Sequence, residues 1–221
     1  MRRCIFYLFL FISVLSYGQE RYYSNPVKIP MLLSGSFAEL RSNHFHSGID
    51  IKTQGTTGIP IFAVADGYIS RIAVSPTGFG KALYIKHPNG TTSVYAHLLK
   101  FQPEVENYVK NRQYEEKSYK VDLHLPSFLF PIKKDDEIAK SGNSGSSGGP
   151  HLHFEIRDTH TQEPLNPLKY NFPITDNIPP KIFSVLVVPL DEKSHVNFGT
   201  VQRSYPVVFY DGKYQLKNNP T

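Results

Sequence analysis

Residues 59–98 read IPIFAVADGYISRIAVSPTGFGKALYIKHPNGTTSVYAHL, and their spacing decides the fold. Four short runs rich in β-branched and aromatic residues stand out: Ile59 to Val64, Tyr68 to Val74, Ala82 to Lys86 and Ser93 to His97. Between them lie Asp66-Gly67, Pro76 to Gly80 and Pro88-Asn89-Gly90. Branched and aromatic side chains suit a pleated, half-buried surface, and Asp-Gly or Asn-Gly pairs suit tight reversals of the chain. The pattern predicts consecutive antiparallel strands in a mainly β fold.

Toward the C-terminus the pattern changes at Lys100. Pro103 to Tyr119 is charged and carries Val105, Tyr108, Val109 and Arg112 at helical spacing, which predicts one amphipathic helix. Val121 to Phe130 returns to apolar, strand-like character. A Gly/Ser-rich loop, Ser141 to Gly149, then leads into a further strand, His151 to Ile156. Five prolines between Pro164 and Pro180 mark a boundary, beyond which Ile182 to Leu190 and Val207 to Tyr210 read as strands. About 40 residues follow the boundary, too few for an ordinary independent domain. They either pack on the first domain or begin a second β domain.

Toward the N-terminus, residues 19–34 read as a polar, proline-containing lead-in. Residues 1–18 have the layout of a secretory signal: basic Met1-Arg2-Arg3, apolar Ile5 to Leu15, and small Ser16 and Gly18 at the −3 and −1 positions of a cut before Gln19. The apolar run is short for a membrane span, which favours cleavage over an uncleaved anchor. The expected destination is export, to the periplasm or cell envelope. Cys4, the one cysteine, precedes the apolar stretch and leaves with it. The mature chain then has no disulfide, no thiolate ligand and no cysteine nucleophile. Losing Arg2 and Arg3 takes the formal charge from +5 to +3. No Lys/Arg-rich run or aromatic–basic pattern suggests nucleic acid, and a mildly basic surface suits an anionic wall polymer.

Among nine histidines, the setting of three, together with Asp50, suggests chemistry. His46 and Asp50 stand at i and i+4 in His46-Ser47-Gly48-Ile49-Asp50, on one face of extended chain, with Gly48 allowing a bend. His151 and His153 are two apart on a strand and share a face. Imidazole and carboxylate suit zinc, and a catalytic zinc needs three protein ligands with a fourth position open. Four donors exceed three, so one of His151 and His153 is free to act as acid, base or hydrogen-bond donor. His87, His124, His160 and His195 read as solvated or hydrogen-bonded residues. His44 reads as a surface-loop histidine, with the groove as the other reading. For Glu155, orientation of a histidine and an ordinary ion pair are equally good readings.

His46-Ser47-Gly48-Ile49-Asp50-Ile51, Ala65-Asp66-Gly67, Tyr95-Ala96-His97-Leu98, Ser141-Gly142-Asn143-Ser144-Gly145 and Gly149-Pro150-His151-Leu152-His153-Phe154-Glu155 occur in that order. In these blocks the chain resembles the lysostaphin/LytM-type zinc peptidases, peptidase family M23, from about Gly35 to Pro167. The resemblance implies one zinc ion (Zn2+) held by His46, Asp50 and His153. It implies that His97 and His151 flank the attacking water and the scissile carbonyl as catalytic helpers. The implied fold is an antiparallel β-sheet core with an open groove, and the implied reaction is hydrolysis of a peptide bond in the stem or cross-bridge of peptidoglycan. The implied partners are a peptidoglycan peptide as substrate and an envelope protein as regulator. The rival reading is a catalytically inactive relative that activates another cell-wall hydrolase, a class usually marked by lost metal ligands.

The expected organisation is a signal peptide over 1–18, a lead-in over 19–34, a zinc peptidase domain over 35–170, and a linker with the start of a β-rich extension over 171–221. Two stretches depart from the compact family pattern. One is the extension; the other is an insertion at about 101–129, which carries the one helix. With Pro126, Phe128 and Phe130 reading as a fixed segment, the insertion is expected to form a wall of the groove rather than a lid.

Overall fold

The computed structural model describes residues 21–41, 44–174 and 181–217. The segment read as a secretory signal lies outside them. The chain divides into two compact units, Met1–Asp176 and Asn177–Thr221.

The first unit is built on one open antiparallel sheet. Its strands are β1 (Leu33–Gly35), β2 (Ile49–Lys52), β3 (Pro60–Phe62), β4 (Gly67–Val74), β5 (Lys81–Lys86), β6 (Thr91–Phe101), β7 (Val121–His124), β8 (Pro131–Ile132), β9 (Glu137–Ser141), β10 (His151–Asp158) and β11 (Pro164–Leu165). The main path runs β1-β2-β10-β6-β5-β4-β7, with β11 on β10, β8 on β4, and β9 joining β3 to β6. The fold is thus mainly β, and its sheet does not close. The four runs quoted at the outset become β3 to β6. The last is longer than its sequence signal because β6 pairs with β5 and β10 through its first part and with β9 through Leu98, Lys100 and Phe101.

Period-two alternation sorts the side chains onto two faces. Ile49, Ile51, Leu83, Ile85, Tyr95, Leu152, Phe154 and Ile156 enter the main core, and none exposes more than a trace of its surface. The opposite face carries Asp50 on β2, with His153 and Glu155 on β10. It also holds a small second cluster of Ala82, Tyr84, Val94 and Ala96, against which Phe79 packs. His153 pairs across the ladder with Asp50 on one side and Ala96 on the other. A histidine, a carboxylate and a small alanine therefore stand abreast, and the alanine leaves room beside them.

The helix α1 spans Pro103–Glu115, with proline in its first turn and Glu104 and Glu106 complementing the positive end of its dipole. It stops short of Tyr119 because Lys117 takes a left-handed conformation, φ 47°. Of Val121 to Phe130 only Val121–His124 is a strand, since Pro126 ends the pairing.

The reading of 101–129 as a groove wall is corrected here. Val105 and Val109 are buried in the main core, and Tyr108 packs on it with its ring 5.5 Å from that of Phe130. β7 extends the β4 edge, four strands from β10. The apolar stripe of the helix finds its partner in the core, and no residue of 101–129 lines the cleft that holds His46, Asp50 and His153. Val105→Ala is expected to lower unfolding free energy by about 1–3 kcal/mol, as urea denaturation would show, while leaving metal content unchanged.

The second unit is a three-stranded antiparallel sheet of β12 (Ser184–Val187), β13 (Arg203–Tyr210) and β14 (Lys213–Leu216). The β13–β14 hairpin turns on Asp211 (φ 50°) and Gly212 (φ 70°), an Asp-Gly pair supplying both positive φ values.

Candidate metal centre

His46 reaches the site from the loop before β2, Asp50 from β2 and His153 from β10. Three atoms converge. His46 Nε2 lies 3.0 Å from Asp50 Oδ1, His153 Nδ1 lies 3.0 Å from the same oxygen, and the two nitrogens are 3.0 Å apart. All three residues are buried, and among the described residues they form the one group placed to hold a metal ion.

Hydrogen bonding on the far side of each ring sets what those atoms offer. His46 Nδ1 donates to the Ser36 carbonyl at 2.8 Å, which leaves Nε2 with a lone pair. His153 Nε2 donates to Glu155 Oε1 at 2.8 Å, which leaves Nδ1 with a lone pair. Two lone pairs and a carboxylate oxygen therefore face one another at about contact distance with no donor among them. Such an arrangement repels itself unless a cation sits between, and two imidazoles with one carboxylate suit zinc. The residues fit the ion.

The electrostatics agree. Burial disfavours ionised Asp50, yet His151, His153 and His46 around it hold its carboxyl far below the usual range. Burial likewise disfavours charged His153, but Asp50 and Glu155 outweigh it and raise its pKa. Glu155 has no exposed surface. Burial pushes its pKa up, but hydrogen bonds from His153 and Arg157 bring it down to about 2. Ser47 Oγ also donates to it. It is an outer carboxylate that fixes the tautomer of His153.

His97 and His151 stand beside the three. Their ring centroids are 4.8 Å apart, and the His97 ring is 5.9 Å from that of His153. Strict alternation along β6 would turn His97 into the core beside Tyr95. Instead its φ of 58° makes an irregularity that keeps Ala96 and His97 on the cleft side and returns Leu98 to the core. Such bulges re-aim side chains. His97 Nδ1 donates to the Ser144 carbonyl at 2.9 Å, leaving Nε2 unprotonated, and burial lowers its pKa to about 4. His151 Nδ1 donates to the Gly149 carbonyl at 2.8 Å, and its Nε2 lies 3.5 Å from Asp50 Oδ1. Burial lowers the pKa of His151, but Asp50 and the Gly149 carbonyl outweigh it, so the net shift is upward.

The loop of Ser144 and Gly145 is held against Gly78 and Gly80. A Cβ on Gly145 (φ 72°) would lie 2.3 Å from the Gly78 carbonyl oxygen, so only glycine permits this approach. The cleft over the site is open, and His44 lines it with Phe79 and Ser146. The remaining histidines of the first unit do not line it. His87 is buried, donating from Nδ1 to the Asp66 carbonyl and pairing through Nε2 with Ser93 Oγ, both at 2.8 Å. His124, His160 and His195 are exposed. Two neighbours were not singled out in the sequence. Phe79 lies with its ring centroid 4.9 Å from that of His153, and Arg41 donates to Asp50 Oδ2 at 2.8 Å.

The model of peptidase family M23 matches residues 44–114, which hold His46, Asp50 and His97 and end within α1. An uncharacterized metalloprotease of Haemophilus influenzae is 31% identical over 60% of this chain and 22% of its own length. The DD-carboxypeptidase/endopeptidase Mpg of Neisseria meningitidis is 31% identical over 61% of this chain and 24% of its own. The murein hydrolase activator NlpD of Escherichia coli is 30% identical over 57% and 26%. The chain spans about a quarter of the length of these curated relatives.

Proposed function

Taking the chain as one of peptidase family M23 type, we propose that it is an exported zinc endopeptidase that cuts peptide bonds in the stem or cross-bridge of peptidoglycan. The observation that carries this reading is the convergence of three lone-pair atoms, from His46, Asp50 and His153, on one point in an open cleft. The metalloprotease and DD-carboxypeptidase/endopeptidase names among its relatives support the reaction class. The reading places the enzyme in the periplasm or cell envelope.

Zinc, when bound, supplies a Lewis acid that polarises a carbonyl and acidifies water. The protein's own groups do the rest. His97 Nε2 is unprotonated and faces the cleft, where it accepts the proton of the attacking water. His151, biased toward its charged form, donates a hydrogen bond to the oxygen on which negative charge develops. Glu155 and Ser36 hold the two imidazole ligands in the tautomers that present lone pairs. A cleft open to solvent accommodates a polymer strand passing through it.

The likeness to NlpD favours a second reading, a chain that activates another hydrolase. A digest of purified cell wall, read by mass spectrometry, separates the two. The expected result is a set of peptides cut at one kind of bond, released by the zinc-loaded chain and lost on chelation. No cleavage by that chain, together with stimulation of an added wall hydrolase, would establish the activator.

A further inference from the structure

Deepening the reading of the metal centre, on which it rests, we infer that Arg41 is a positioning residue for the metal. It fixes Asp50 as a ligand through one oxygen and holds the other oxygen out of the site. The two carboxylate oxygens face different partners. Oδ1 lies 3.0 Å from both His46 Nε2 and His153 Nδ1, whereas Oδ2 accepts a hydrogen bond from Arg41 Nη2 at 2.8 Å. The last torsion of an aspartate is broad, and carboxylates bind metals through one oxygen or two. A charge-assisted bond from a guanidinium, planar and always charged, removes that freedom.

The backbone is arranged around this contact. Arg41 belongs to a hairpin in which Ala38 N donates to the His46 carbonyl, His46 N to that of Glu39, and Arg41 N to that of His44, at 2.8, 2.8 and 2.9 Å. The same hairpin supplies the Ser36 carbonyl that sets the tautomer of His46. One loop thereby positions two ligands, His46 directly and Asp50 through the arginine. Glu39 Oε2, 3.3 Å from the same Nη2, holds the guanidinium as well. Gly35 completes the cradle. A Cβ there would lie 2.3 Å from Arg41 Nη2 and 2.5 Å from Asp50 Oδ2, so the ion pair requires a residue without a side chain.

The test measures zinc affinity of the full chain by competition with a chromophoric chelator, alongside kcat and KM at saturating zinc. Arg41→Met is expected to weaken zinc binding by about 10–100-fold, the usual effect of losing an outer partner of a ligand. Arg41→Lys, which keeps the charge but not the guanidinium, should fall between Arg41→Met and the unchanged chain. Gly35→Ala leaves the arginine in place but crowds its contact, and should weaken zinc in the same direction. Unchanged zinc affinity in Arg41→Met with a raised KM would make Arg41 a substrate contact and overturn the inference. If Arg41→Met does not fold, Gly35→Ala decides, and unchanged affinity there overturns it equally. Failure of the unchanged chain to bind zinc is a separate result, which removes the zinc reading and this inference together.

Discussion

Asp50→Ala and His46→Ala are each expected to strip the protein of zinc and to reduce peptide hydrolysis to the level of the chelated chain. Asp50 supplies the one negative charge of the donor set, and its Oδ1 is the corner shared by both 3.0 Å contacts to histidine. Without it, two neutral imidazoles face a divalent ion, and Arg41 keeps a positive charge nearby with one of its two ion-pair partners gone. The loss of affinity should therefore exceed the roughly 10–100-fold that removal of an outer-shell partner costs. His46→Ala removes the ligand brought by the Ser36–His46 hairpin and leaves the remaining two on the ladder between β2 and β10. Elemental analysis after gel filtration, with hydrolysis measured on the same samples, checks both variants. Stoichiometric zinc retained in both would sink the assignment of the site.

The same donor set fixes the sign of the pH dependence of binding. Zinc needs His46 and His153 neutral, so protons compete with it. Burial works against that proton on His153, but Asp50 and Glu155 raise its pKa above the ordinary histidine value. Competition at His153 thus sets in at a higher pH than for an unperturbed histidine, and affinity falls as pH is lowered through that range.

Much of this site follows from spacing, and the parts that do not have physical reasons. His151 and His153 share a face because a strand alternates with period two, and β10 obeys that rule without interruption. Alternation also puts Glu155 on that face. Its complete burial depends on Ser47 and Arg157, whose approach is tertiary and leaves no trace in local pattern. His97 breaks the rule that served elsewhere. Only a positive φ at a residue that is neither glycine nor asparagine turns it to the cleft, and no local signal announces that. Arg41 reaches Asp50 on β2 from the hairpin that precedes it, a relation with no fixed spacing. The helix was legible from its apolar stripe, but the stripe could not say which surface it would meet. The core claimed it, because Val105 and Val109 gain more from full burial there than from a rim open to water.

His97→Ala and His151→Ala are expected to retain zinc and to lose about 10²–10⁴-fold in rate, the range a positioned acid or base supplies. Neither ring belongs to the triangle of lone pairs, so removing either leaves the three proposed ligands intact. Their environments push them apart in a way that divides the work between them. Burial lowers the pKa of His97 to about 4, so the ring is neutral near pH 7 and its Nε2 accepts a proton. For His151, burial acts in the same direction, but the Asp50 carboxylate and the Gly149 carbonyl more than offset it and favour the charged, donating form. The sign of the pH profile follows. Protons begin to compete with zinc at His153 at a higher pH than the low pKa of His97, so the acid limb of kcat/KM should follow zinc content in the unchanged chain and in His97→Ala alike. Zinc content and kcat/KM across pH, measured on the same preparations, test the division of roles. Loss of zinc from His151→Ala with retention in His153→Ala would show that the two histidines of β10 exchange places, His151 binding the metal and His153 assisting.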